Sequence, residues 1–297
     1  MVNPKGRVNY EPNSAGGAEG GPRESHENGF QSFPAHEKGP KVRERSESFG
    51  DHYSQARQFY ISQTKVEQGH IADALVFELS KVEKVAIRVR LVSHLLHIDG
   101  KLATRVAEGL GLPDKVQPAP SASEVLTSLK PSKALSLMQN GPRSFAGRKV
   151  GVLVTDGIDR GLFDAPKSAV DAEGASLEVV APTVGGVKAS DGSTVEGHQN
   201  IGGGPSVLYD AVAILGSTEG VQMLLKNAAA KDFVSDAFAH LKFIAYNDAA
   251  ITLFEKAGIA ADMDDGFVLL STAKGASDFV KMCRKVRRWE REKVVTA

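Results

Sequence analysis

The chain has 297 residues, 41% hydrophobic and 24% charged, with 36 basic and 36 acidic side chains that cancel. This is enough length for one large or two medium domains, and the balance gives no overall pull toward nucleic acid. The single cysteine, Cys283, excludes an internal disulfide and a cysteine-rich zinc site. No apolar run reaches the length of a membrane helix, so no membrane partner is expected. The polar start "MVNPKGRVNYEPNS" lacks the apolar core of a signal peptide.

Residues 1–53 are rich in Gly, Pro, Ser, Glu and Arg, as in "NSAGGAEGGPRESHENG". Such a stretch buries too little surface to offset its ordering entropy. It reads as an extended arm that wraps another surface, with the aromatics of "KVRERSESFGDHYSQARQFY" near its end.

Residues 54–112 read as two or three helices. Thr64 and Glu67 form a capping-box pattern ahead of Ile71, Leu75 and Leu79, with Ala74 and Phe77 alongside. Ile87, Leu91, Leu95 and Ile98 make the next stripe, and "GKLATRVAEGLGLP" a short helix closed by Gly111 and Pro113. His94 and His97 sit three apart, the spacing of a metal pair. Asp99 faces elsewhere, so a solvated or core-edge pair is the better reading.

Residues 113–146, with Pro113, Pro118, Pro120, Pro131 and Pro142, read as an extended linker in which "SKALSLMQN" docks as a short ordered piece.

From residue 147 to 297 the pattern becomes strand–helix alternation, the mark of a doubly wound parallel sheet. "RKVGVLVTDGID", "SLEVVAPT", "YDAVAILG", "KFIAY" and "GFVLLS" are five strands, and "GGVKASDGSTVEG" is a hairpin around Asp191-Gly192. "GLFDAPKSAVDAEGA" is a helix with an early Pro, and "GASDFVKMCRKVRRWEREK" one final helix. Within it, "RKVRRWERE" reads as a solvated face anchored by Trp289, and Cys283 as packing. A ligand crevice in such a sheet lies at the C-terminal strand ends, here Thr155–Asp159, Gly216–Glu219 and Tyr246–Asp248.

The last of these, in "FIAYNDAAITLF", has the strand-to-helix form that holds a nucleophile in many α/β enzymes. Asn247 has no useful nucleophilicity, whereas Asp248 is a carboxylate of the kind used in some covalent mechanisms. Asn and Asp are also preferred helix caps, so a capped helix start outweighs an active nucleophile. "LGSTEG" lacks both the dinucleotide glycine spacing and the P-loop lysine. "GGG" at 202–204 has no strand before it and reads as a flexible loop.

Taken together, "GRVNYEPNS", "KVRERSESFGDHYSQARQFY", "SQTKVEQGHIADALVFELSKV" and "IRVRLVSHLLHIDGKLATRVAEGLGLP" resemble the C-terminal part of large-subunit haem catalases. "RKVGVLVTDGID", "YDAVAILGSTEG" and "FIAYNDAAITLF" resemble the flavodoxin-like domain that follows in that family, similar to the DJ-1/PfpI superfamily. The resemblance implies an arm at 1–53, a catalase-type helical domain at 54–112, a linker at 113–146 and a flavodoxin-like domain at 147–297. It implies a parent that decomposes hydrogen peroxide on haem, in a homotetramer of catalase subunits. The family's haem-ligating Tyr motif and distal residues have no counterpart here, and Arg57-Gln58-Phe59-Tyr60 lacks the motif's spacer. No cofactor, metal ligand or catalytic residue is therefore expected in this chain. The resemblance places Asn247 where active DJ-1/PfpI proteins carry Cys, and Leu162 near their acidic residue, with Asp159 close by. The elbow of Asn247, Asp248 and Asp159 then reads as vestigial. A stabilising, assembly role follows. The alternatives are a free-standing chaperone-like module that binds unfolded clients, and a DJ-1/PfpI-type hydrolase or glyoxalase. "VVTA" is not a peroxisomal ending, and localisation is left open.

Overall fold

The computed structural model describes residues 34–112 and 116–296. The arm motifs up to Phe33, and Pro113, lie outside them. Residues 52–297 form one compact unit, separate from the segment before it. In that earlier segment residues 34–46 carry no helix or strand and lead into a 3-10 turn at Glu47–Gly50, where the Arg45 guanidinium lies 5.3 Å over the Phe49 ring.

Four helices follow, α1 (Ser54–Ser62), α2 (Lys65–Ser80), α3 (Val85–Leu95) and α4 (Gly100–Gly109), one more than the periodicity predicts. The Thr64–Glu67 capping box starts α2 as expected, satisfying two backbone N–H groups reciprocally. Asp99 caps α4 by accepting from Lys101 and Leu102 N–H. The shared core is Tyr60, Ala72, Leu79, Val92, Leu95, Leu102, Ala103 and Val106. Two expectations fail here. Ala74 and Phe77 face outward, Phe77 at 62% exposure, and Ile87 leaves its stripe at 43%. The helices turn Ala72, Val76, Val89 and Val92 inward instead.

The chain beyond residue 116 runs extended along α1 and α2. Leu126 N–H donates to Ser54, Ser132 N–H to Ser62, and Gln63 donates to the Leu135 carbonyl. A 3-10 turn at Lys133–Leu135 and a one-turn helix, α5 (Leu137–Asn140), dock on Glu67 through Ser136 and the Met138 N–H. The Glu67 carboxyl, which burial alone would raise, is held below its ordinary range by these bonds and those from Thr64.

The remainder is an α/β flavodoxin-like domain. Its elements are β1 (Lys149–Val154), α6 (Arg160–Ala172), β2 (Ser176–Ala181), a hairpin of β3 (Val187–Lys188) and β4 (Thr194–Val195), and β5 (Gln199–Asn200). Then come β6 (Ala211–Leu215), α7 (Thr218–Leu224), α8 (Ala228–Ala239), β7 (Ile244–Tyr246), α9 (Ile251–Ala257), β8 (Phe267–Leu269), α10 (Ala273–Cys283) and α11 (Glu292–Val295). The sheet order is β5-β2-β1-β6-β7-β8, with every pair parallel. β1 and β6 are buried along nearly their whole length, which is why they read as unbroken apolar runs. One core lies on the face of α6 and α10, with Val152, Phe163, Phe279 and Cys283. The other lies on the face of α7, α8 and α9, with Leu153, Ile214, Phe233 and Phe254.

Three local expectations are corrected. Pro166 falls inside α6 rather than at its start, and its ring is buried. The Gly202–Gly204 turn does follow a strand, because β5 pairs Gln199 with Val180 and Asn200 with Ala181. The last helix does not run through "RKVRRWERE". It stops at Cys283, Val286 adopts φ 68, and the chain turns into Trp289–Arg291 and α11. A β-branched residue there is strained and persists only where its surroundings over-determine it. Here Arg287 donates to the Asp210 carbonyl, Arg288 N–H to the Leu241 carbonyl, and Arg291 is buried completely. The run is a set of anchors rather than a solvated helix face.

Candidate functional site

In this sheet the order of strand addition reverses between the parallel neighbours β1 and β6, and a crevice opens past their C-terminal ends. A cleft of ≈ 820 Å³ lies there. It is lined by Gly157, Asp159 and Leu162 after β1, by Gly216–Glu219 after β6, and by Asn247–Ala249 after β7. Leu270, Ser271 and Thr272 complete it from the end of β8. The structure thus brings Asp159, Asn247 and Asp248 to one cleft. The β8 end went unnoticed in the sequence, although "LLST" ahead of a helix carries the same strand-to-cap signal.

Asn247 stands at the N-cap position of the 3-10 turn Asp248–Ala250, and its carbonyl accepts from Ala250 N–H, but its side chain makes no cap bond. Its backbone is ordinary extended, φ −107 and ψ 164, without the strain of a nucleophile elbow. Its carboxamide crosses to β6 instead. Oδ1 accepts from Gly216 N–H at 3.2 Å, and Nδ2 donates to the Gly216 carbonyl at 2.7 Å. The side chain therefore extends the β6–β7 ladder by one rung beyond its last backbone pair. Asp248 is exposed at the start of the following 3-10 turn. With burial, its charge pushes the Tyr246 hydroxyl above its ordinary range, burial being the larger cause. Asp159 caps α6, accepting from Leu162 N–H at 2.7 Å.

The Gly216–Gly220 turn is held just as closely. Thr155 Oγ1 accepts from Ser217 N–H, Ser217 Oγ donates to the Asp156 carbonyl at 2.6 Å, and Gly220 N–H donates to Ser217 Oγ. The N–H groups of Gly216, Ser217 and Gly220 are thus spent inside the protein. A Cβ on Gly220 would sit 2.1 Å from Thr155 Oγ1 and one on Gly216 2.5 Å from it. These glycines let the β1 and β6 turns touch.

The other candidates lie apart from the cleft. His94 Nδ1 pairs with the Tyr53 hydroxyl at 2.8 Å, and His97 Nε2 with the Ala119 carbonyl at 2.6 Å. The Tyr53 ring stacks on His97 with centroids 4.4 Å apart. The pair thus sits at the helical core's edge. Among the described residues no group of three or more His, Cys, Asp or Glu is placed to hold a metal ion. Cys283 is sealed in the core, where burial pushes its thiol far up and removes its nucleophilicity. No described helix is long and apolar enough to cross a membrane.

A haem needs an axial His, Tyr, Cys or Met beside a slot for the ring. No such residue lines the cleft. Tyr53 is committed to His94, and Cys283 is closed off. The lining of this cleft does not fit a haem.

The comparisons place the chain. The family described as catalase-related immune-responsive matches residues 46–110, and the C-terminal domain found in long catalases matches residues 146–293. Catalase C of Rhizobium meliloti is 55% identical over 98% of this chain and 41% of its own length. Catalase HPII of Pseudomonas putida is 38% identical over 99% of the chain and 41% of its own length. Catalase-B of Dictyostelium discoideum is 32% identical over 98% and 42%. The chain spans about two fifths of the length of these relatives. The sequence belongs to the long-catalase family, and corresponds to its C-terminal part.

Proposed function

We propose that the chain is the non-catalytic C-terminal part of a long catalase, with a stabilising and assembly role toward catalase subunits in a homotetramer. The parent would decompose hydrogen peroxide on a haem held elsewhere. The domains would be the wrapping arm at 1–53, the helical domain at 54–112, the linker at 113–146 and a DJ-1/PfpI-like domain at 147–297. The observation that carries the reading is the Asn247 clip: the elbow position, where a nucleophile would stand, is bonded at both ends of its amide to Gly216. Ser217, Thr272 and Asp159 are likewise committed to backbone groups. A DJ-1/PfpI-type hydrolase or glyoxalase would have to rely on Asp248, an exposed carboxylate with no hydrogen-bonded base beside it.

The test has two parts. The haem-supplemented chain is scanned for a Soret band and assayed for oxygen release from hydrogen peroxide; a flat spectrum and no oxygen are expected. The chain is then added to a long catalase truncated before its helical domain, whose half-life during heating is expected to lengthen. A stoichiometric Soret band with oxygen release, or an unchanged half-life, overturns the reading.

A second reading, a free-standing chaperone-like module, rests on exposed apolar side chains: Leu137 at 86%, Phe77 at 62% and Val85 at 54%. It requires suppression of a client's thermal aggregation at near-stoichiometric amounts, and fails without it.

A further inference from the structure

The residues after Cys283 lie away from the cleft, and they touch both halves of the compact unit. We propose that Val286–Thr296 is a strap that seats the helical bundle on the sheet domain, with His70 of α2 as its receptor. This does not depend on the proposed function.

One side of the strap is locked. The Arg291 guanidinium lies over the adjoining Phe238 and Phe267 rings, 4.9 and 5.0 Å from their centroids. Its Nε and Nη2 donate to the two Asp264 oxygens at 3.0 and 2.7 Å, and Nη1 to the Lys242 carbonyl at 2.7 Å. A guanidinium with no exposure is tolerable only when its donors are used in this way. Just before it, Arg288 N–H donates to the Leu241 carbonyl, and its side chain pairs with Asp265 at 2.5 Å. These contacts hold the left-handed turn at Val286.

The other side is lighter. Glu292 Oε1 lies 2.6 Å from His70 Nε2, and the Trp289 ring is 5.4 Å from the His70 ring. Their partner lies on the second helix of the bundle, 222 residues before Glu292. The His70 and Glu292 side chains are 41% and 33% exposed. Water competes for an exposed pair, so its net worth is small. The strap is therefore built with a fixed end in the sheet domain and a releasable end on the bundle. Loss of His70 should free the bundle without unfolding the domain that carries the strap.

The experiment is electron–electron double resonance on the whole chain, with nitroxides at Lys84→Cys and Lys256→Cys, both exposed positions. Cys283 is buried and stays unlabelled. The parent protein is expected to give one narrow distance distribution. His70→Ala and Trp289→Ala should each add a longer-distance population, with helical content by circular dichroism retained. The pair combined should add little beyond the larger single effect, because both act on one contact. An unchanged narrow distribution in both variants overturns the proposal. So does broadening that comes only with loss of helicity.

Discussion

The two ends of the sheet are built on opposite plans. At the C-terminal ends of the strands, where α/β proteins place their ligands, the turns are joined by neutral contacts: Asn247 on Gly216, Ser217 on Asp156, Gly220 against Thr155. At the N-terminal ends the strands meet a cluster of charged groups withdrawn from water. Lys242 is 1% exposed and donates to the Ser206 carbonyl, Arg291 is 1% exposed, and Arg287 reaches the Asp210 carbonyl. Perturbed titrating groups commonly mark active sites. Here they mark the anchorage of the C-terminal segment. A cleft by position and a charged cluster by chemistry thus point to opposite ends of one domain, and only the second is energetically expensive.

The largest effect expected lies in that cluster. Arg291→Ala strips Asp264 Oδ2 and the Lys242 carbonyl of their donor and leaves Asp264 Oδ1 with the Gly266 N–H alone. Removing one partner of a buried pair costs about 3–5 kcal/mol. Urea unfolding should show a loss of unfolding free energy of that size, and replacing Arg291 and Asp264 together by Met and Leu should recover part of it. A loss below about 1 kcal/mol, the scale of an exposed pair, would mean that the cluster is not the anchor and would erase the contrast between the two ends.

The cleft end is sensitive to volume rather than charge. Gly220→Ala would put a methyl 2.4 Å from Thr155 Cβ. Overpacking of this kind costs about 1–3 kcal/mol. Asn247→Ala removes two hydrogen bonds to a partly buried turn. At about 1 kcal/mol for each net bond, it should cost somewhat less than the worst overpacking. Thermal unfolding of the two variants tests the order; an Asn247→Ala protein as stable as its parent would remove the clip from the account.

Lys242 sharpens the comparison through pH. Burial, helped by the neighbouring Arg287 charge, lowers its amine from 10.5 to about 8 in the folded protein. Unfolding restores the ordinary value, so between these limits the unfolded chain binds more protons. Stability should then climb with pH through that window, by up to about 1.4 kcal/mol per unit from this one group. Below it the amine is protonated in both states and contributes no slope. The buried Cys283 thiol, raised on folding, pulls the other way above its ordinary value, so the amine is read as a difference: from about pH 8 to about pH 10 the urea midpoint should climb more, or fall less, in the parent than in Lys242→Met. Equal slopes in the two proteins would show that the amine is not the buried group that titrates.

The elements that were legible in the sequence are those whose signal is local. The five strands, the capping box at Thr64 and the hairpin around Asp191 follow from periodicity and turn chemistry over a few residues. What sequence reasoning missed is set by distant partners. The outward Phe77 and Ile87 depend on which face of α2 and α3 meets α4, and either stripe is apolar enough to serve. Nothing within "RKVRRWERE" marks Arg291 as the one buried arginine, because Asp264, Phe238 and the Lys242 carbonyl that hold it come from three other places in the chain. Asn247 looked like a cap because that is the commonest local use of Asn. The bond it makes instead is to a residue 31 positions earlier.

The smallest effect expected is at Asp248, and it bears most directly on whether the cleft retains chemistry. Its carboxylate is exposed and caps nothing by its side chain. Substitution of such a surface group by Ala should move stability by less than about 0.5 kcal/mol. Loss of its charge also removes one of the two causes that raise the Tyr246 hydroxyl, the lesser beside burial. The phenol of Tyr246 should therefore titrate lower in Asp248→Ala, which ultraviolet absorption of the phenolate reads directly. A lower tyrosine titration with unchanged stability fits an exposed spectator charge. A stability loss of several kcal/mol would mean that Asp248 makes contacts of the kind confined here to the opposite end of the sheet, and the division between a neutral end and a charged end would not hold.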